Sequence, residues 1–158
     1  MKNVSFLAVC MFVGSFFAAP VASQDVPAPY SEYYGKVERV IDGDTIEVRI
    51  ELWPGFEAIY SVRARGIDAP EVRRAKCPEE KLWAREARDR VAKLYGPGTV
   101  VRIEKVEIDS FGRAVADIRR WRSDRWLYFA DEMVDAGMAE AWQENWPDIE
   151  WCDKASAR

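Results

Sequence analysis

Three short runs of strand-forming residues, separated by two tight turn signals, constrain this chain more than any other feature. Tyr34 to Ile41 carries Tyr34, Val37, Val40 and Ile41 among polar residues, a composition that favours extended chain. Asp42-Gly43-Asp44 turns it, Thr45 to Leu52 is a second extended run, Pro54-Gly55 turns it again, and Ile59 to Arg65 is a third. Turns this short join antiparallel neighbours, so the fold is expected to begin as an antiparallel meander. The pattern then changes period. Cys77-Pro78-Glu79-Glu80 puts a proline and acids where a helix begins, and Trp83, Ala87, Val91 and Leu94 repeat at helical spacing. Gly96 stops this helix after about four turns. Thr99 to Ile108 and Phe111 to Arg119 give two further strands, and Leu127, Ala130, Val134 and Met138 mark a second helix interrupted by Gly137. An α+β order of three strands, helix, two strands and helix matches the five-stranded Greek-key barrel called the OB-fold, carrying two to three helices.

Ahead of this block, Lys2, the apolar run from Val4 to Ala19 and the small residues Val21, Ala22 and Ser23 have the layout of an export signal. Cleavage is expected near Ser23, leaving a periplasmic or secreted protein. The run is shorter than the roughly 20 residues a spanning helix needs, so no membrane anchor is expected after processing. Cys10 follows Val9 rather than a small residue, which argues against a lipid anchor. Residues 24–32 read as a polar, proline-containing linker, 33–152 as a single domain and 153–158 as a tail. A chain of 158 residues holds one core comfortably and two poorly.

The chain has no histidine. That removes the usual general base at neutral pH and the commonest transition-metal ligand, so chemistry has to run on carboxylates and arginines, with or without a bound ion. Without its signal the chain keeps one fewer than the 23 basic residues of the full sequence, against all 27 acidic ones. An acidic surface counts against broad clamping of duplex DNA, and a nucleic-acid enzyme of this kind needs its positive charge gathered at the site. Two cysteines remain, Cys77 and Cys152. An even pair in an exported chain suggests a disulfide tying the C-terminus to the body, and two cysteines without histidine cannot make a structural zinc site. Trp142, Trp146 and Trp151 in the tail read as packing rather than as a binding platform.

Three clusters could carry chemistry. The first is Asp42-Gly43-Asp44-Thr45, which alone is an ordinary acidic turn. The second runs from Arg63 to Glu71: alternation puts Arg63 and Arg65 on one face of the third strand, with Asp68 and Glu71 just past its end. The third is Asp109-Ser110-Phe111-Gly112-Arg113, a tight turn that delivers Arg113 at the start of the last strand. Asp44, Asp68 and Glu71 supply oxygen ligands of the kind Ca²⁺ prefers, while Arg63 and Arg113 supply planar forks for a phosphate. No apolar core requires that set.

In this order and on this strand plan, the three clusters closely resemble the staphylococcal (thermo)nuclease family, whose signatures are a DGDT turn, an R-x4-D-x-P-E run and a D-x-x-G-R turn. The likeness runs from about Tyr34 to Trp142. It implies that Asp44, Asp68 and the main-chain carbonyl of Ala69 hold one calcium ion together with Glu71, with Mg²⁺ or Mn²⁺ less favoured. Glu71 matches the residue that activates or orients the attacking water, and Arg63 and Arg113 match the arginines that stabilise the phosphate as charge develops. The resemblance implies a monomeric endonuclease that hydrolyses DNA, RNA or both, preferably single-stranded, and leaves 3′-phosphate ends. Ser110 and Phe111 depart from the family pattern near the terminal phosphate, and the chain leaves that pattern past Gly137. A non-catalytic oligonucleotide-binding OB module is the alternative, and an acidic exported scaffold that binds protein is a third reading. Such relatives would be expected to lack an acid or an arginine of the set, and all five are present.

Overall fold

A computed structural model describes residues 32–158. The expected signal at 1–23 and nearly all of the expected linker lie outside the described residues. The chain runs β1 (Glu32–Val40), β2 (Thr45–Trp53), β3 (Phe56–Ala64), β4 (Ile67–Asp68), α1 (Pro78–Leu94), β5 (Val100–Ile108), β6 (Ala114–Arg122), β7 (Arg125–Tyr128), α2 (Phe129–Asp135), β8 (Glu140–Ala141) and α3 (Trp151–Ser156). The first three strands form the antiparallel meander, and β5 and β6 add to it on the far side of β1. Parallel pairing of β3 with β6, Val62 opposite Ala114 and Ala64 opposite Ala116, then closes the sheet. The result is the α+β, five-stranded OB barrel, with three helices and a β6–β7 hairpin added to it.

Alternation along the strands fills the barrel. Val37, Ile46, Val48, Val62, Val101, Ile103 and Ile118 are all buried, each contributing roughly 1.5–3 kcal/mol relative to exposure. The helix α1 caps one end and buries Trp83, Ala84, Ala87 and Val91. Its start is local chemistry: Pro78 occupies the first turn, and Cys77 Sγ accepts the backbone N–H of Glu80 at 3.4 Å. The turn between β1 and β2 sits directly beneath this helix. A side chain at Gly43 would lie 2.8 Å from Ala87 Cβ and 2.9 Å from Ala69 Cβ, so only glycine lets the helix and the 69 loop close over the turn.

Several boundaries differ from expectation. The last barrel strand begins at Ala114, not Phe111, because Asp109 to Arg113 is closed as a turn by the Gly112 N–H to Asp109 carbonyl bond of 3.0 Å. Leu127 lies in β7 rather than in a helix, since Ser123 and Asp124 take positive φ values of 51° and 60° and fold the chain back onto β6. The helix α2 therefore begins at Phe129, and Gly137 (φ 63°) ends its turn before Met138. A further helix, α3, runs across the expected boundary between domain and tail at residue 152.

Candidate active site

The end of β3 brings an arginine to two carboxylates. Alternation turns Arg63 away from the barrel core, and the loop through Gly66 carries the chain back so that Asp68 in β4 faces the same guanidinium. Arg63 Nη1 donates to Asp44 Oδ2, and Nη2 donates to Asp68 Oδ1 at 2.7 Å. Asp44 is only 4% exposed; its other oxygen accepts the Thr45 hydroxyl at 2.7 Å, and the Ala69 N–H reaches Oδ2 at 3.3 Å. Burial alone would weaken the hold of Arg63 on its proton, but Asp44 and Asp68 outweigh it and strengthen that hold.

Acid is in surplus here. Asp42, at the other end of the glycine turn, has its pKa raised by burial and then by the negative charges of Asp44 and Glu71. Nothing but its place in the turn singled Asp42 out in the sequence. Glu71 reaches neither Arg63 nor Asp44 in this arrangement; it pairs with Arg74 at 3.0 Å and is partly open to solvent.

Arg113 enters from the β5–β6 turn. Asp109 accepts the Phe111 and Arg113 N–H groups, both at 2.9 Å, and the Arg113 Nε at 2.8 Å. Desolvation works to raise the Asp109 pKa, but those bonds together outweigh it and lower the pKa. The Arg113 guanidinium lies 5.3 Å from the centre of the Phe111 ring, which is 81% exposed. Arg63, Asp68, Ala69, Glu71 and Arg113 all line one open cleft of about 940 Å³, and Trp142 and Trp151 line it as well. Acids outnumber bases along its lining. The structure thus gathers every candidate residue around one cleft, with Asp44 sealed against Arg63.

One feature of this region has little sequence signal. Trp151 Nε1 donates to Asp68 Oδ2 at 2.8 Å, so a tail residue touches the site itself. Cys77 and Cys152 are joined by a disulfide, with Cα atoms 5.9 Å apart. Glu80 lies near both sulfurs, but a disulfide offers no thiolate, so this group is a tether and not a metal site.

The closed mixed barrel and the arginine–carboxylate cleft at its rim define an α+β OB-fold protein with a polar site built for charge. Residues 61–155, more than half of the chain, match the family model described as staphylococcal nuclease homologue, and the chain belongs to that family. It is 29% identical over 136 residues to an uncharacterized protein of Methanocaldococcus jannaschii, covering 73% of this chain and 62% of that one. It is 36% identical over 98 residues to a micrococcal nuclease of Shigella flexneri, covering 62% of this chain and 48% of that protein. Over 59 residues it is 46% identical to a protein of Oryza sativa subsp. japonica named as a probable staphylococcal-like nuclease, covering 37% of this chain and 14% of that one. The chain spans less than two thirds of the length of each of these relatives.

Proposed function

We propose that this chain hydrolyses phosphodiester bonds in DNA, RNA or both, as an exported, monomeric, calcium-dependent endonuclease that leaves 3′-phosphate ends. The observation that carries this reading is the sharing of one guanidinium, that of Arg63, by two carboxylates at a cleft that also receives Glu71 and Arg113. Asp44 and Asp68 turn oxygens toward a single cationic centre, and burial, followed by the charges of Asp44 and Glu71, raises the Asp42 pKa. This all-oxygen donor set fits a hard cation, held by Asp44, Asp68, the Ala69 carbonyl and Glu71. When bound, calcium would supply positive charge against a pentacoordinate phosphate as charge builds on it.

The chain's own residues divide the remaining work. In an acid-rich cleft a phosphate meets repulsion except near the arginines and Lys76. Arg63 can turn its fork to a phosphate only once its two carboxylates have another cation to hold, which links substrate capture to calcium. Arg113 is aimed by Asp109 through its Nε, leaving its terminal nitrogens to bind the phosphate. Glu71, partly exposed and paired with Arg74, would orient the attacking water. Fixed positive groups set around developing charge are usually the largest catalytic term.

A zymogram with DNA and with RNA, run with calcium and with chelator, tests the reading. Clearing with calcium that chelator abolishes is the expected result. Undiminished cleavage after thorough chelation would remove the cation from the reading, and binding of single-stranded oligonucleotide without any cleavage would leave a binding module instead.

A further inference from the structure

A buried indole N–H must find an acceptor, and a backbone carbonyl serves as well as any. Trp83 does this, donating to the Gly137 carbonyl at 3.0 Å. Its neighbour Trp151, 5% exposed and packed edge-on against Trp83 with ring centroids 5.0 Å apart, does something else. It donates to a carboxylate 83 residues earlier in the chain, Asp68, whose other oxygen is bound by Arg63. Both oxygens of Asp68 are therefore held, and the rotation of the carboxylate is set from two sides.

The helix that carries Trp151 has only six residues, too few to stand without tertiary support. Its next residue, Cys152, is bonded to Cys77 at the N-terminus of α1, and Lys154 pairs with Glu140 at 2.5 Å. The disulfide is thus the covalent part of the fastening that keeps the indole on Asp68.

We infer that Trp151 is a positioning residue for the cleft, fixing the carboxylate of Asp68 through its indole N–H, and that the Cys77–Cys152 disulfide makes this hold depend on oxidation. The inference rests on the reading of Asp68 as a cation ligand. Partners that orient a ligand from behind typically govern roughly 10- to 100-fold in metal affinity. The same chain with its cysteines reduced should hold Asp68, and hence calcium, less firmly.

Calorimetric titration of calcium, alongside separate kcat and KM values, tests this on the full mature chain. Trp151→Phe keeps a ring against Trp83 and deletes only the N–H, while the double change Cys77→Ser and Cys152→Ser removes the tether but keeps a capping oxygen for α1. Calcium affinity is expected to fall roughly 10- to 100-fold in Trp151→Phe, with KM for oligonucleotide at saturating calcium little changed. Reducing the wild type with a dithiol should weaken calcium binding and reoxidation restore it, whereas reducing Trp151→Phe should lower its affinity no further. Purely structural support would instead make the two losses add. Wild-type calcium affinity in Trp151→Phe, in an enzyme that cuts normally, would overturn this inference and leave the nuclease reading standing. An oxidised wild type that neither binds calcium nor cuts would overturn the nuclease reading, and this inference with it.

Discussion

Arg63 and Arg120 are both sunk into the protein and both meet carboxylates, yet the two clusters are built to opposite ends. Arg120 faces one acid, Glu132, through Nε at 2.9 Å and Nη2 at 2.5 Å, and the Tyr95 hydroxyl completes the set by donating to Glu132 at 2.6 Å. The guanidinium also lies 5.3 Å from the centre of the Tyr95 ring. One positive and one negative charge cancel, and α2 is locked to β6. Arg63 faces two acids, with a third and a fourth close by, on the wall of an open cleft. There the charges do not cancel. A balanced pair has nothing left to offer a ligand, while the unbalanced one is where the proposed cation would be held. Burial and pairing are common to both arginines; the imbalance of charge and the opening to solvent are what set Arg63 apart.

The largest expected effect lies on the cleft side. Arg113→Lys keeps the charge but loses the planar fork, so kcat should fall by about 10²- to 10³-fold, with KM little moved. Steady-state kinetics on a short single-stranded oligonucleotide reads both constants. A variant cutting at the wild-type rate would take Arg113 out of the mechanism. On the balanced side, Arg120→Met removes one partner of a buried pair and strands Glu132, which should cost about 3 kcal/mol of stability. Thermal unfolding measures the loss, and activity per folded molecule should survive. If instead turnover fell with stability intact, Arg120 would belong with Arg63 and the comparison would fail.

Much of this was legible in the chain because it is written in local chemistry. Asp42-Gly43-Asp44 and Pro54-Gly55 are turns wherever they occur, and the α1 start is announced by Cys77, Pro78 and the acids after them. The carboxylates and arginines of the cleft were recognisable by type and spacing. What was not legible is set by distant packing. Ser123 and Asp124 adopt a left-handed turn that usually calls for glycine or asparagine, so β7 was hidden inside an apparent helix. The two-residue pairing of β4 with β8, Asp68 opposite Glu140, carries no pattern long enough to detect. The pairing of Cys77 with Cys152 could be suspected from parity, but not that it would bring Trp151 to Asp68.

A smaller effect sharpens the contrast at Asp44. Asp44→Asn keeps an acceptor oxygen for Thr45 or Ala69 and removes one of the surplus charges, so stability without calcium should change by no more than about 1 kcal/mol. Added calcium raises the Tm of the wild type by mass action, and the variant should lose most of that rise. Thermal melts with and without calcium decide it. A large loss of Tm in the calcium-free variant would place Asp44 with Glu132, as a structural acid.

The smallest effect is a matter of pH, and it belongs to the balanced pair. Burial works to raise the pKa of Glu132, but the hydrogen bonds from Arg120 and Tyr95 outweigh it and hold the carboxyl below its ordinary value of 4.5. A carboxyl whose folded pKa lies below its unfolded value contributes stability that is fully present above the unfolded value. That contribution fades as pH falls through the depressed one. The difference in unfolding free energy between wild type and Glu132→Gln should therefore be flat from pH 8 down to about 5, and shrink only below the ordinary glutamate range. With no histidine in the chain, nothing of that kind intrudes between pH 6 and 8. Denaturant titrations of both proteins at several pH values provide the measurement. A difference that grew on acidification would mean that Glu132 is held in its neutral form, which would make the Arg120 cluster as unbalanced as the cleft.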